Sequence, residues 1–166
     1  MPNNELLGYQ GATGDFFDDL QERYGATLQG IHIDEKLMML ANIFYSHMIG
    51  GTAEDALSIL DDGNDTPEHI VSILNGLEEF DPDCQFAFCA AVLAQVQESY
   101  RLHKQFTKQL TNAGVEDLLA EEVAGVIAAG GERTDEQIAL VSQAWGQVVE
   151  SNPQLANRIE LIMTAE

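Results

Sequence analysis

The chain has 166 residues, of which 45% are hydrophobic, and its 28 Asp and Glu against seven Lys and Arg give a formal net charge of −21 at pH 7. A chain of this length is expected to form one domain that buries roughly 70% of its unfolded surface. Such an excess of negative charge repels nucleic acid and anionic membrane and favours a cation or a basic partner. We therefore expect no direct binding to nucleic acid and no membrane association.

The first 14 residues are rich in glycine, with Gly8, Gly11 and Gly14 at a period of three. A phosphate-binding loop would need a preceding strand, and the P-loop would need a Lys-Ser/Thr ending. Asp15 and two phenylalanines follow instead. We expect residues 1–14 to form a flexible N-terminal arm and residues 15–166 to form a single helical domain.

Helix starts and ends are well marked along the rest of the chain. Two pairs fit a capping box, namely Thr52 with Asp55 and Thr134 with Gln137. Three pairs set a capping side chain before a proline at the first helical position: Thr66-Pro67, Asp81-Pro82 and Asn152-Pro153. Glycines follow where left-handed C-caps are expected, at Gly25, Gly50-Gly51, Gly63, Gly114 and Gly130-Gly131.

This punctuation predicts eight helices, at about 15–24, 34–49, 53–62, 67–80, 82–112, 116–129, 135–150 and 153–164. Only residues 29–34, with Ile31 and Ile33 alternating, resemble a strand, and six residues make no sheet. The expected fold is all-α, a single-domain bundle of about eight helices with one long central helix.

In that long helix, apolar residues at steps of three and four predict one apolar stripe: Phe86, Cys89, Leu93, Val96 and Tyr100. Three glycines, Gly76, Gly125 and Gly146, fall inside predicted helices, where each costs about 1 kcal/mol relative to alanine. Close approach of a neighbouring helix is the expected compensation.

Residues 37–100 contain no Lys or Arg, although this stretch holds eleven carboxylates. The acids alternate with aliphatic and aromatic residues, which is typical of a charged surface on a folded body rather than of a disordered acidic tail. Ten of these carboxylates are the candidate partner-binding residues: Glu54, Asp55, Asp61, Asp62, Asp65, Glu68, Glu78, Glu79, Asp81 and Asp83.

Directly after this stretch, Arg101, Lys104 and Lys108 follow at helical spacing, with His103 beside them. One interpretation is an internal face whose charges pair with nearby acids. The other is a site of self-association, where this basic stripe meets the acidic face of another copy and builds an oligomer.

No catalytic, metal or cofactor signature is present. Asp61-Asp62-Gly63-Asn64-Asp65 fits an EF-hand in neither register, and the four histidines form no metal-ligand motif. Cys84 and Cys89 point apart on a helix, so buried free thiols in a reducing compartment are expected. We therefore expect no enzyme, no cofactor and no metal.

Three hypotheses for function remain. The first is an acidic protein that binds a basic protein surface, such as a nucleic-acid-binding one, in the manner of a DNA-mimic inhibitor of viral or mobile-element type. The second is a structural or adaptor subunit of an assembly such as a virion. The third is an ordinary helical protein with a salt-adapted acidic surface. With no secretory signal in the sequence, the expected location is the cytoplasm, or a viral particle assembled there.

Overall fold

The computed structural model describes residues 14–60 and 66–164. Within them lie eight α-helices and no strand: α1 (Asp15–Tyr24), α2 (Ile33–Ile49), α3 (Ala53–Leu60), α4 (Glu68–Leu77), α5 (Pro82–Asn112), α6 (Asp117–Ala129), α7 (Asp135–Val148) and α8 (Pro153–Thr164). The prediction of an all-α bundle with one long helix is confirmed, since α5 has 31 residues. Residues 1–13 of the predicted N-terminal arm lie outside the described part of the chain. The Asp61–Asp65 segment, which includes Gly63, also lies outside it.

Helix starts follow the predicted chemistry at most positions. Both predicted capping boxes form, because Asp55 N–H donates to Thr52 Oγ1 over 3.1 Å and Gln137 N–H donates to Thr134 Oγ1 over 3.2 Å. Asp81 and Asn152 cap α5 and α8 through the amides of Cys84 and Leu155.

Three helix starts differ from the prediction, and one of them, that of α6, lies at Asp117, one residue late. α4 begins at Glu68, one residue late, with Pro67 itself at the N-cap. α2 begins one residue early, because the His32 ring and the Glu35 carboxylate complete a third capping box. Histidine is not among the usual capping residues, so sequence patterns gave no reason to expect it there.

The described residues form two compact units, which divide between Val96 and Gln97 within α5. Unit 1 contains α1 to α4 and the first half of α5, and unit 2 contains the second half of α5 and α6 to α8. Whether residues 15–166 unfold cooperatively, as a single domain would, is a separate question from this division. The single domain therefore stays a prediction.

Unit 1 is built on an aromatic and aliphatic core. Phe17, on α1, lies against the rings of Phe80 and Phe88, with ring centroids 5.1 and 6.1 Å apart. α2 packs on α3 and α4, which buries Met39, Leu74 and other aliphatic side chains in the same cluster. The fold of unit 1 therefore depends on apolar packing around these rings.

Unit 2 is a separate small bundle in which α6 contacts α7 and α8, and α7 contacts α8. Its core includes Phe106, Val123 and Ile159. The Trp145 indole N–H donates to the Ala156 carbonyl over 3.2 Å, which joins α7 to α8. Arg158 lies over the Phe106 ring, 4.6 Å from its centroid, so one of the few cations is used in packing.

The residues of the predicted apolar stripe of α5 differ in their exposure to solvent. Cys89 and Val96 are buried, whereas Phe86, Leu93 and Tyr100 are exposed. The buried face of the first half instead runs through Cys84, Phe88 and Val92. Both faces have apolar residues at helical spacing, so spacing alone did not identify the one that packs inward.

The interior glycines also differ from one another. A Cβ added at Gly76, in α4, would overlap the Phe16 ring of α1, so the expected close approach is confirmed there. At Gly125 and Gly146 nothing lies within 4 Å of an added Cβ, and the expectation is wrong for both.

This contrast gives a stability prediction. Gly76→Ala should lower the free energy of unfolding by about 1–3 kcal/mol, because Phe16 must leave its packed position against Phe17 and Phe80. Gly146→Ala, the matched control in an exposed helix interior, should raise it by about 0.5–1 kcal/mol. Urea denaturation followed by circular dichroism measures both, and equal effects of the two substitutions would contradict the close contact.

Candidate functional site

The candidate carboxylates divide by position. Asp61, Asp62 and Asp65 lie outside the described residues, and the other seven are all exposed. Glu54 and Asp55 lie in the first turn of α3, Glu68 in the first turn of α4 and Asp83 in the first turn of α5. Negative charge at a helix N-terminus interacts favourably with the helix dipole, so these positions are compatible with a stable fold.

Two contacts bring most of these carboxylates to one place. The Glu78 carboxylate, just beyond α4, accepts the backbone N–H of Ala53 at the start of α3, beside Glu54 and Asp55. The Gln85 side-chain amide donates to the carbonyls of Leu77 and Phe80 over 2.9 and 3.0 Å, which ties the start of α5 to the end of α4. The start of α3, the end of α4 and the start of α5 thus meet at what we call the acidic junction: Glu54, Asp55, Glu78, Glu79, Asp81 and Asp83.

Glu68 does not belong to this group, since it lies at the opposite end of α4. A helix of 10 residues is about 15 Å long, which separates Glu68 from the junction by more than a Debye length at physiological salt.

The junction carboxylates are of two kinds. Asp55, Glu78 and Asp81 accept hydrogen bonds from backbone amides and hold helix ends in place. The Thr52 backbone amide, followed by the Thr52 hydroxyl, lowers the pKa of Asp55 below its ordinary value. Within the described part of the chain, Glu54, Glu79 and Asp83 make no such bond and are exposed, so they are the acids most available to a partner.

The negative charge is concentrated in the first part of the chain. In the sequence, residues 1–96 hold 17 Asp and Glu against two Lys and Arg, whereas residues 97–166 hold 11 against five. Of the two cations in unit 1, Arg23 is exposed and Lys36 is 4% exposed. The surface around the acidic junction therefore has almost no compensating positive charge.

Lys36 lies at a core position of α2, among the buried residues of unit 1. Burial lowers the pKa of Lys36 to about 8, because the charged form loses its hydration. No sequence pattern indicated that Lys36 is buried, since a lysine three residues after a helix start is ordinarily exposed.

Lys36 should make stability depend on pH in a defined direction. The unfolded chain holds this proton up to about pH 10.4, but the folded chain releases it near pH 8. The unfolded state thus binds more protons between these values, so the Lys36 contribution to stability rises with pH across that interval.

Lys36→Met should therefore stabilise the chain by about 2 kcal/mol at pH 7, with a gain that shrinks towards pH 10. Chemical denaturation at several pH values compares the variant with the parent chain, and Lys104→Met, at an exposed site, is the control expected to change stability little. A gain that stayed constant from pH 7 to pH 10 would contradict a buried, titrating amine.

An exposed aromatic group lies next to the acidic junction. The rings of Phe44 and Phe86 stack with centroids 6.2 Å apart, and the His47 ring lies 4.8 Å from Phe86. Because the Gln85 amide nitrogen donates to Leu77 and Phe80, the Gln85 carbonyl oxygen is left to accept the His47 Nε2–H over 2.7 Å. Sequence reasoning missed this group, as it placed Phe86 in one continuous apolar stripe of the long helix.

The basic stripe in unit 2 is only partly neutralised. Arg101 forms an ion pair with Glu98, one turn earlier on α5, and its Nε donates to the Glu98 carboxylate over 2.6 Å. Lys104 and Lys108 are exposed and make no ion pair with the described residues. The paired interpretation thus applies to Arg101, and the two lysines remain available.

Other candidate groups show no assembled chemistry in the described residues. Cys84 and Cys89 are both buried, as predicted, and burial raises the pKa of Cys89 to about 11. No group of three or more His, Cys, Asp or Glu is placed to hold a metal ion within residues 14–60 and 66–164. A cavity of about 10 Å³ beside Asn42 and Glu78 is large enough for one water molecule.

No family model matches the chain, and no curated protein or solved structure matches it. None of the described helices is both long enough and apolar enough to cross a membrane.

Proposed function

We propose that the protein is a non-enzymatic acidic interaction protein that binds the basic surface of another protein through the acidic junction. The observation that carries this proposal is the gathering of six carboxylates at three helix ends in unit 1, where the only exposed Lys or Arg of the described residues is Arg23. A partner built to bind nucleic acid has the matching chemistry, since DNA presents about one negative charge per 1.7 Å of helix axis.

The lack of neutralising ion pairs supports a negative charge that is directed outward. Between described residues, no Lys or Arg forms an ion pair with a junction carboxylate, so the negative field is not cancelled within unit 1. A field of one sign steers a basic partner and makes association sensitive to salt. Occupation of a DNA-binding site by such a surface would act as DNA-mimic inhibition.

The test uses linker histone, a lysine-rich DNA-binding protein, as the probe. A triple variant, Glu54→Gln, Glu79→Gln and Asp83→Asn, removes junction charges that make no hydrogen bond within the described residues. It should weaken binding about tenfold at roughly 0.1 M salt and flatten the salt dependence, because three charges no longer face the partner. Fluorescence anisotropy across a salt series, with duplex DNA as competitor, measures both effects.

The matched control removes three charges from unit 2 at equivalent positions, with Glu136→Gln and Asp117→Asn in first turns and Glu150→Gln just beyond a helix. It should change binding by less than about threefold. Equal losses in the two variants would mean that net charge alone matters, which would contradict the proposal and favour the salt-adapted interpretation.

A structural-subunit role is the second candidate, and the exposed Lys104 and Lys108 favour it. If these side chains meet the acidic surface of another copy, sedimentation velocity should show an oligomer that Lys104→Glu with Lys108→Glu dissociates. The control Arg23→Glu reverses one charge, half the change of the double variant, at an exposed site in unit 1. A monomer at all concentrations would contradict this role.

A further inference from the structure

The aromatic group beside the acidic junction is part of a longer exposed apolar surface in unit 1. On α2, the exposed residues Leu37, Ala41, Phe44 and Met48 follow at steps of three and four, which places them on one face. On α5, Phe86, Ala90 and Leu93 do the same. The Phe44–Phe86 stack joins the two rows, and we call the joined surface the apolar seat.

The apolar seat carries no formal charge, in a chain where 21% of the residues are charged. From Leu37 to Ala53, and again from Cys84 to Gln97, there is no Asp, Glu, Lys or Arg. Its five large side chains, Leu37, Phe44, Met48, Phe86 and Leu93, are 38–71% exposed. Contiguous exposed apolar surface of this kind marks interaction sites in monomeric proteins.

A carboxylate precedes each of the two rows of the seat. Asp34 lies one turn before Leu37 on α2, and Asp83 lies one turn before Phe86 on α5; both are exposed. Asp83 belongs to the acidic junction, so the seat continues directly into that group of carboxylates. An occupant that covers the seat therefore meets negative charge as soon as it extends past it.

Size and charge together select the occupant. The five large side chains offer roughly 400 Å² of apolar area, if Leu and Met are given an area near the lower end of the about 150–250 Å² of an aromatic side chain. A stable interface buries about 800 Å² per partner. A dimer through this seat alone would be too small, and it would bring together two copies that each carry −21. One amphipathic helix with basic residues beside its apolar face matches both the area and the charge.

We propose that the apolar seat binds an amphipathic helix of the partner, with an apolar row against Phe44, Met48 and Phe86 and Lys or Arg residues against Asp34 and the acidic junction. This inference rests on the proposed function, because it assumes a basic protein partner. It adds that apolar contact holds the partner in a defined register, whereas the carboxylates select a basic partner and orient it.

The test uses three synthetic peptides of about 18 residues, or five helical turns. The first contains leucine and lysine arranged so that the leucines form one helical face. The second has the same composition in an order that scatters the leucines, and the third replaces each lysine of the first by glutamate. Fluorescence anisotropy of labelled peptides at roughly 0.15 M salt should show that the first binds at least about tenfold more tightly than the second.

Two substitutions at the seat separate apolar contact from charge. Met48→Lys should weaken binding of the first peptide by about tenfold or more, because it places a cation on the seat, and the neutral Met48→Gln should weaken it by about threefold. Leu118→Lys in unit 2 is the matched control, since Leu118 is 69% exposed and Met48 is 71% exposed. It should change binding by less than about twofold.

The outcomes distinguish this inference from the proposed function. Equal binding of the first two peptides, both weakened by the junction triple variant, would overturn the seat and leave the acidic junction as the binding surface. Binding of neither lysine peptide would contradict both. Equally tight binding of the glutamate peptide, or a dimer of the chain that Met48→Lys dissociates, would overturn the inference by showing a different occupant.

Discussion

The shortage of positive charge is the constraint on which the rest of this structure depends. With four carboxylates for every Lys or Arg, few ion pairs are available to hold the helices together, and repulsion between carboxylates opposes the compact state. The two cores are accordingly apolar, with Phe17 and Phe88 central in one and Phe106 in the other. Of the few cations, Lys36 is buried and Arg158 packs on the Phe106 ring.

Within this constraint, helix ends are the places where carboxylates are tolerated best. At a helix N-terminus, a carboxylate accepts hydrogen bonds from backbone amides that have no partner within the helix. It also interacts favourably with the helix dipole. Asp55 and Asp81 do so directly, and Glu78 does so across helices at the start of α3. Because three helix ends meet in unit 1, the same local rule that stabilises each helix also concentrates negative charge at one surface.

Helix positions were predictable because their signals are local. The Thr52–Asp55 and Thr134–Gln137 boxes and the prolines after Asp81 and Asn152 each act within one turn, and all of them form as predicted. The His32 cap was missed because histidine rarely has that role. No local signal marks the boundary between the two compact units within α5, since apolar spacing continues on both sides of Val96.

The candidate site was only partly predictable. Composition identified the carboxylates of residues 37–100, but their gathering depends on contacts between distant residues, such as Glu78 with Ala53 and Gln85 with Leu77. Burial was not predictable from spacing either. On α5, Phe88 is buried and Phe86 is exposed, although both belong to apolar rows at helical spacing, and on α2 Lys36 is buried. These outcomes depend on which helices pack together, which no local pattern specifies.

Gln85 shows where the acidity of such a protein must stop. Its amide gives two hydrogens to the carbonyls of Leu77 and Phe80 and receives one from His47. A glutamate of the same shape would present oxygen to those carbonyls and push them away. However strongly a sequence accumulates acids, a position that must donate hydrogen bonds to backbone carbonyls cannot hold an ionised Asp or Glu. Such positions set an upper limit on the negative charge that this architecture can carry.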